Sequence, residues 1–454
     1  MNDRSIALLR RAKGPLLAAF AAAAALGLAV TSAGATNIQK VVSPGGIEAW
    51  LVHDSTVPLI AVDVAFRGGS DQDPDDKPGV AALAAGLWDE GAGDMDSNAF
   101  HGLLERKAID LSFRASRDYV RGTLRTLSAN RDEAFDYLRL ALTAPRFDAE
   151  PVERVRAQVM SQLQRQATNP NDIGSKQWWK TAFPGHPYGR PVDGTLESIP
   201  QIGVDELKAY TRRVLARETM KIAVVGDIDA ATLGPLLDKT FGALPAKPDL
   251  HPVANAKPQG IGRRIVVHLD VPQAVVTFGG LGIARSDPDF MAAYIVNDIL
   301  GGGSSSSRLY REVREKRGLA YGVYDSLVWF NHASVILGGT ATRAEATAET
   351  IDVVEREIRR LAEGGPTEAE VAAAKSYLKG SYVLGLDTSA KIASQLVQIQ
   401  LDNLGIDYID RRGALIDAVS LDDIKRVAKR LLDPGLLITV VGRPVGLTST
   451  SQGG

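Results

Sequence analysis

SSSSRLYREVREKRGLAYGVYDSL, residues 304–327, follows a run of three glycines and is the stretch from which the rest of the chain is best interpreted. Its first part has apolar residues at helical spacing, and Gly318 follows two basic residues, as is common where helices end. From residue 319 the pattern changes to β-branched and aromatic residues, which are typical of a strand. We therefore predict a helix, a glycine turn and a strand that direct Arg314 and Tyr321 into one cleft.

Outward from this stretch, the order of predicted elements in the second half of the chain repeats that in the first. Residues 57–74 (VPLIAVDVAFRGGSDQDP) and 271–288 (VPQAVVTFGGLGIARSDP) agree in their period and in the Asp-Pro that precedes a helix. The last predicted strand, residues 436–444, likewise resembles residues 221–229. An internal duplication predicts an α+β protein with two homologous domains of the α/β-sandwich type, each a mainly antiparallel sheet with helices packed on one face.

A proline-rich stretch separates the two repeats. Residues 245–262 contain four prolines, few large apolar residues and no periodicity, which is typical of a linker. We predict a first domain over residues 36–244 and a second over residues 263–454. Ligands of such domain pairs usually bind between the domains.

The N-terminal segment has the pattern of a secretory signal. Basic residues precede an apolar run at positions 16–30, and Ala33-Gly34-Ala35 has the small-x-small form of a cleavage site. We predict a signal peptide over residues 1–35, cleavage after Ala35, a periplasmic location and no stable membrane span afterwards. A membrane anchor is the alternative, although the run is short for a bilayer about 30 Å thick. A mitochondrial transit peptide is another, weakened by the uninterrupted apolar centre and by Asp3.

Charge and cysteine content exclude several classes of protein. The formal net charge is −2, and it becomes −5 when residues 1–35 are removed. No basic block indicates nucleic-acid binding. The chain has no cysteine, so it has no disulfide, thiolate metal site or thiol nucleophile.

Common catalytic motifs are absent. No two histidines are closer than 17 residues, so no helix presents a histidine pair to a metal ion; they are His53, His101, His186, His251, His268 and His332. A metal site built from distant histidines and carboxylates stays open. The run GGGSSSSR lacks the Lys-Ser/Thr ending of a phosphate loop. Ser376-x-x-Lys379 lacks the companion motifs of a serine acyl-enzyme.

Arg314 and Tyr321 have chemistry suited to a peptide. The guanidinium has five fixed donors for carbonyl or carboxylate oxygens, and the phenol can donate to an oxyanion that forms on a carbonyl. From residue chemistry alone, a surface ion pair for Arg314 and sheet packing for Tyr321 are the favoured interpretation.

The duplicated halves, the linker and the block GGGSSSSRLYREVREKRGLAYGV together resemble the insulinase/pitrilysin family of zinc peptidases over essentially the whole mature chain. The block is most similar to the second-half signature of the short branch of bacterial and mitochondrial-processing-peptidase-like members. The resemblance implies that Arg314 and Tyr321 bind the substrate backbone and assist the transition state.

The first half departs from the family pattern. Active members carry His-x-x-Glu-His on the helix after the first hairpin, and a glutamate on a later helix completes the zinc site. By register, Ala82, Ala85 and Gly86 occupy the motif positions, and Gln162 occupies the later one. Alanine and glycine neither bind zinc nor activate its water. The resemblance therefore implies that this chain binds no zinc itself.

The resemblance implies the non-catalytic subunit of a heterodimeric zinc peptidase. A homologous partner subunit would carry His-x-x-Glu-His and the zinc, whereas this chain would contribute Arg314 and Tyr321. The substrates would be peptides held by strand addition at a sheet edge. A catalytically inert binding or scaffold protein, similar to the core subunits of a respiratory complex, is the second interpretation, and an enzyme with an unrecognised metal site is the third.

Overall fold

Two β-sheets, one from each half of the chain, organise the computed structural model, which describes residues 37–302 and 305–450. The predicted signal peptide, residues 1–35, lies outside the described residues. Gly303 and Ser304 of the glycine–serine run also lie outside them. From Ile38 onward the chain belongs to one compact unit.

The first-half sheet has six strands in the order β1-β2-β6-β3-β5-β4. The pair β2–β6 is parallel and the other neighbours are antiparallel. The strands are β1 (Ile38–Val42), β2 (Glu48–His53), β3 (Leu59–Arg67), β4 (Asp110–Ala115), β5 (Tyr119–Leu127) and β6 (Lys221–Gly226).

The second-half sheet has five strands in the order β7-β11-β8-β10-β9, and only its pair β7–β11 is parallel. Its strands are β7 (Arg264–His268), β8 (Gln273–Leu281), β9 (Ala320–Trp329), β10 (Ser334–Arg343) and β11 (Leu437–Gly442). The order is that of the first sheet without its outermost strand β1. This equivalence, with helices beside both sheets, confirms the predicted α+β fold.

The first-half helices are α1 (Val80–Ala85), α2 (Ser97–Arg106), α3 (Arg131–Thr143), α4 (Ala149–Gln166), α5 (Pro170–Ala182), α6 (Val204–Val214) and α7 (Ala230–Phe241). In the second half they are α8 (Phe290–Leu300), a π-helix (Tyr310–Glu315), α9 (Thr347–Gly364), α10 (Glu368–Leu384), α11 (Ser389–Leu401), α12 (Tyr408–Asp417) and α13 (Leu421–Leu432). Capping boxes at Thr367 and Ser420 begin α10 and α13. The cap of α2 is Asp96, whose side chain accepts a hydrogen bond from the Ala99 N–H. Among the described residues, no helix combines the length and apolarity needed to cross a bilayer.

Each sheet has a hydrophobic core on the face covered by helices of its own half. Buried side chains of β3 and β5 pack with α1 and α3 in the first half, and those of β8 and β9 pack with α8 and α9 in the second. Fully buried aromatic residues, including Trp88 and Phe135 in the first core and Phe278 in the second, fill both cores. Burying each side chain of this size stabilises the fold by about 1.5–3 kcal/mol.

The opposite face of each sheet is covered by one helix from the other half. Helix α5 lies on the second-half sheet, where the buried Trp178 donates from Nε1 to the Leu437 carbonyl at 3.0 Å. A Cβ on Gly279 would lie 2.6 Å from the Trp178 ring, so only glycine admits the ring there. Helix α11 lies on the first-half sheet, where Gln400 Nε2 donates to the Ile222 carbonyl at 2.9 Å. The crossing helices α5 and α11 therefore bind the halves to each other.

The hairpin tips of the two sheets also meet. Asp118, in the β4–β5 turn, accepts a hydrogen bond from the Asn331 amide in the β9–β10 turn at 2.8 Å and another from the Tyr188 hydroxyl. Tyr119 Oη donates to Asn331 Oδ1 at 2.6 Å. Burial raises the pKa of the Asp118 carboxyl, although the Tyr188 hydrogen bond opposes this. These contacts give the halves a second, polar connection.

Candidate functional site

Arg314 stands near the end of a short, widely wound helix. The predicted helix is present, with π-helical hydrogen bonding over Tyr310–Glu315. Gly318 has a φ of +60°, and its N–H donates to the Arg314 carbonyl at 2.9 Å, while Leu319 N–H donates to the Val313 carbonyl at 3.0 Å. Such a glycine end satisfies the last carbonyls and reverses the chain. The predicted turn from helix to strand is therefore confirmed.

A β-bulge directs the side chain of Tyr321. The pairing of β9 with β10 shifts by one residue, so that Tyr321 and Gly322 both lie opposite Ala341. Thr340 Oγ1 donates to the Gly322 carbonyl at 2.7 Å and so satisfies a group that the bulge removes from the ladder. Since side chains alternate along a strand, the extra residue brings Tyr321 to the same face as Tyr324. Tyr321 is 85% exposed there.

The two predicted residues meet. The Arg314 guanidinium carbon lies 4.4 Å from the centre of the Tyr321 ring and 4.9 Å from the centre of the Tyr310 ring. No carboxylate among residues 37–302 and 305–450 forms an ion pair with Arg314, so its donors are available to a ligand. Guanidinium and phenol donors side by side can hydrogen-bond peptide carbonyls, a carboxylate or an oxyanion.

A cleft of about 780 Å³ extends from this pair across the sheet. Its floor is the part of the second-half sheet that α5 does not cover, including Gly338 and Gly339, and the start of α5 closes one side at Asn171. Strand β9 is the edge of this sheet and pairs only with β10 among the described strands. An extended peptide could therefore pair with the β9 backbone while Arg314 and Tyr321 contact its carbonyls.

Two further tyrosines belong to this cleft and did not emerge from the sequence. Tyr310 precedes Arg314 by four residues, a spacing that brings side chains together on a helix, so the pattern contained the signal. Tyr324 also lines the cleft and is 57% exposed. Tyr324 lies opposite Gly339 in the regular part of β9, and the bulge brings Tyr321 to its face, which the sequence does not reveal.

The first-half positions lie on α1 and α4. Asp73 fixes the start of α1 by accepting hydrogen bonds from the N–H groups of Gly79 and Ala81 at 2.7 and 2.8 Å, and burial raises its pKa to about 7. Ala85 is only 1% exposed. A Cβ on Gly86 would lie 3.8 Å from Val155 of α4.

These residues do not fit a zinc ion. Ala82 lies partly buried on α1 and Gln162 is exposed on α4, two turns beyond Val155. The glutamine amide is the only polar side chain at the four positions, and zinc sites use thiolate, imidazole or carboxylate ligands. Across the described part of the chain, no group of three or more histidine, aspartate or glutamate side chains could hold a metal ion.

Two family models match the chain. The model of the insulinase family, peptidase family M16, matches residues 49–196, and that of the peptidase M16 inactive domain matches residues 201–378. The chain belongs to the insulinase (M16) peptidase family. The degenerate positions Ala82, Ala85, Gly86 and Gln162 lie within the first M16 match, and Arg314 and Tyr321 lie within the second.

Relatives in the M16 family include chains named as proteases and one named as a non-peptidase. An uncharacterised zinc protease of Streptomyces coelicolor is 27% identical, over 80% of this chain and 86% of the relative. The non-peptidase homolog YmxG of Helicobacter pylori is 28% identical, over 73% and 77%. The β subunit of the mitochondrial-processing peptidase of Lentinula edodes is 26% identical, over 85% and 86%.

Solved structures share the whole fold. The crystal structure of a peptidase M16 inactive domain from Pseudomonas fluorescens has a TM-score of 0.84 at 29% identity, over 91% of this chain and all of that one. A chain of Complex III2 from Candida albicans has a TM-score of 0.76 at 17% identity, over 90% and 96%. The second likeness concerns the fold alone.

Proposed function

We propose that this chain is the substrate-binding, non-catalytic subunit of a heterodimeric zinc peptidase that degrades peptides in the periplasm. A homologous exported partner contributes His-x-x-Glu-His, the zinc and the general base. This chain contributes Arg314 and Tyr321, which hydrogen-bond the substrate backbone and the oxyanion formed during cleavage.

The observation that carries the proposal is the contrast between the two sites of one chain. The Arg314 guanidinium carbon lies 4.4 Å from the centre of the Tyr321 ring at an open cleft. Tyr321 is not buried in a core, and Arg314 forms no ion pair among the described residues. The four metal-ligand positions hold only alanine, glycine and glutamine. Donors without a catalytic group are useful in a peptidase when a second chain supplies that group.

Three further features support the proposal. Edge strand β9 offers a backbone with which an extended peptide can pair. A relative in Lentinula edodes is named as one subunit of a processing peptidase. The predicted signal peptide over residues 1–35 supports the periplasmic location, which release of the protein by osmotic shock would test.

The experiment is reconstitution. The mature chain is mixed with an exported homologue from the same cell that carries His-x-x-Glu-His, and cleavage of an unstructured fluorogenic peptide is measured with and without a zinc chelator. The mixture is expected to show chelator-sensitive cleavage, and the chain alone none. Robust zinc-dependent cleavage by the pure chain would refute the proposal.

A scaffold role is the second candidate, favoured by the non-peptidase name of the Helicobacter relative and by the fold shared with a Complex III2 chain. Tyr321→Phe in the reconstituted pair separates the two, because it removes one donor from an exposed side chain. The proposed function predicts a loss of roughly 10²-fold in kcat/KM. Tyr377→Phe, at a tyrosine 47% exposed and outside the cleft, is the matched control. Equal turnover by both variants would favour the scaffold.

A further inference from the structure

A second, smaller cavity lies among helices of the second half. It has a volume of about 250 Å³ and is bordered by α8, the end of α10, α11 and α12. None of its lining residues lines the cleft of Arg314 and Tyr321. Its polar lining comprises Tyr294, Ser381, Tyr382, Gln395 and Arg412.

Arg412 is a buried cation without a counter-charge. Its side chain is only 5% exposed, and no carboxylate oxygen in residues 37–302 and 305–450 lies within 4.0 Å of its nitrogens. The neighbouring acids Asp407, at the N-cap of α12, and Asp417, at its last residue, pair instead with Arg411 and Lys379. Removing a charge from water costs several kcal/mol unless an opposite charge or hydrogen bonds compensate.

The contacts that Arg412 makes compensate only in part. Nη1 donates to the Leu378 carbonyl at 2.9 Å, and the guanidinium carbon lies 4.1 Å from the centre of the Tyr382 ring. Leu378 lies six residues before the end of α10, whose terminal carbonyls at Ser381 and Tyr382 accept from the Gly385 N–H. Arg412 therefore does not cap that helix. Its Nε and Nη2 have no hydrogen-bond partner among the described residues.

Tyr382 supplies a second unused donor beside the same cavity. Its hydroxyl is buried and has no hydrogen-bond partner within 3.5 Å in the described part of the chain, although the Gln395 side chain lies close enough to lower its pKa. Burial raises the pKa of this phenol to about 12, so the hydroxyl keeps its proton at neutral pH. Arg412 Nε and Nη2 and the Tyr382 hydroxyl are donors without an acceptor, so together they are complementary to a ligand rich in acceptors.

We propose that Arg412 and Tyr382 form a binding site for a small oxyanion, a carboxylate or phosphate group. The guanidinium neutralises the charge and offers paired donors from Nε and Nη2, and the Tyr382 hydroxyl donates a further hydrogen bond. Ser381 and Gln395 provide polar groups at the same cavity. A space of about 250 Å³ accommodates such a group and is too small for a whole nucleotide.

The test measures anion binding by the full mature chain. Sodium phosphate and sodium acetate are titrated separately by calorimetry, with sodium chloride at equal ionic strength as the reference. One saturable site is expected for at least one of the two anions. Tighter phosphate binding assigns a phosphate-bearing ligand, and tighter acetate binding assigns a carboxylate. A response of the folded chain to both anions no greater than its response to chloride would overturn the proposal.

Variants test whether the anion binds at Arg412 and Tyr382. Arg412→Gln is expected to abolish saturable binding, whereas Arg411→Gln, which removes an exposed arginine from the same helix, leaves it unchanged. Tyr382→Phe is expected to weaken binding by about tenfold through loss of one hydrogen bond to a charged group. If circular dichroism shows that Arg412→Gln does not fold, the anion affinity of Tyr382→Phe tests the proposal instead. Wild-type affinity in a folded Arg412→Gln or Tyr382→Phe variant would contradict the assignment.

Discussion

The two halves of this M16 chain share one order of strands and differ in what their functional positions contain. In the first half, small residues occupy the α1 positions predicted to match the family's metal ligands, and Ala85 is buried in the core. In the second half, an arginine with no ion pair among the described residues and a tyrosine that is 85% exposed stand at an open cleft. Packing in the core explains the small residue at position 85, whereas it does not explain the exposed tyrosine at position 321.

The difference teaches that this fold forms without metal ligands at the positions predicted for the family's zinc site. Ala85 belongs to the first-half core, and Ala82 and Gly86 beside it are partly buried, so small residues at these positions are compatible with a complete core. The second-half pair contributes little to stability, since Tyr321 is largely in solvent. Substitutions in the two regions should therefore affect different properties, either stability or turnover.

The largest expected effect is on the contact that joins the halves. Trp178→Ala removes a fully buried indole and its hydrogen bond to the Leu437 carbonyl, and it should lower the free energy of unfolding by about 3–5 kcal/mol. The urea denaturation midpoint, followed by circular dichroism, measures this loss. Lys180→Ala, on the exposed face of the same helix, is the control. Similar midpoints for both variants would show that α5 does not bind the halves together.

The second effect is on turnover, and it compares Arg314 in the cleft with Gln162 at a predicted metal-ligand position. In the reconstituted heterodimer, Arg314→Ala should lower kcat/KM by roughly 10²–10³-fold, because donors to the developing oxyanion are lost. Gln162→Ala should leave kcat/KM unchanged, since no metal remains for that position to bind. Peptide-cleavage kinetics measure both. A comparable loss of kcat/KM in the two variants would show that the Arg314 position is no more important for cleavage than the Gln162 position.

The third effect is on stability within the first half. Ala85→Glu restores the acidic residue of the family motif at a position that is 1% exposed, and it should cost about 2 kcal/mol because a polar group is buried without a partner. Gln162→Glu, at an exposed position, should change stability by less than about 0.5 kcal/mol. Urea midpoints of the two variants test the contrast. An Ala85→Glu protein as stable as the wild type would mean that the core around α1 accommodates a glutamate side chain.

The smallest effect, counted per unit of pH, concerns the core face of β9, behind Tyr324. Asp325 is buried without a hydrogen-bond partner among the described residues, and burial raises its pKa from 3.8 to about 8. As pH rises above 3.8, the unfolded chain releases this proton before the folded chain does. The free energy of unfolding should therefore fall between about pH 4 and pH 8, by at most about 1.4 kcal/mol per unit.

Asp325→Asn should remove this part of the pH dependence because the amide does not titrate. Urea midpoints of the wild type and the variant across the same pH range measure the difference. Parallel curves would show that the Asp325 carboxyl is not kept protonated by the fold.

The sequence predicted the elements well because most have a strong period or an evident end. Gly318 ends the helix before β9 as expected, and Thr367 forms its capping box. Strand β1 was not predicted, since it is a short edge strand that is mostly exposed and lies directly after the apolar N-terminal segment. The proximity of Arg314 and Tyr321 followed from the turn between them, a local feature.

Long-range arrangement could not be predicted in the same way. The apolar face of α5, with Trp178 and Trp179, predicts burial but does not identify the sheet that buries it. The bulge at Tyr321 depends on the register with β10, and one slipped residue leaves no mark in the periodicity. The cavity at Arg412 likewise requires four helices to come together.

The crossing helices have a consequence for the order in which the protein is made. Gln400 bonds to Ile222, 178 residues earlier, and Trp178 bonds to Leu437, 259 residues later. The first-half sheet is therefore synthesised long before the helix that covers its second face. Until then an apolar surface that includes Trp50 and Val225 has no cover, and such surfaces aggregate or attract chaperones. A truncated first half, although it contains a complete sheet, should need a substitute for α11 to remain in solution.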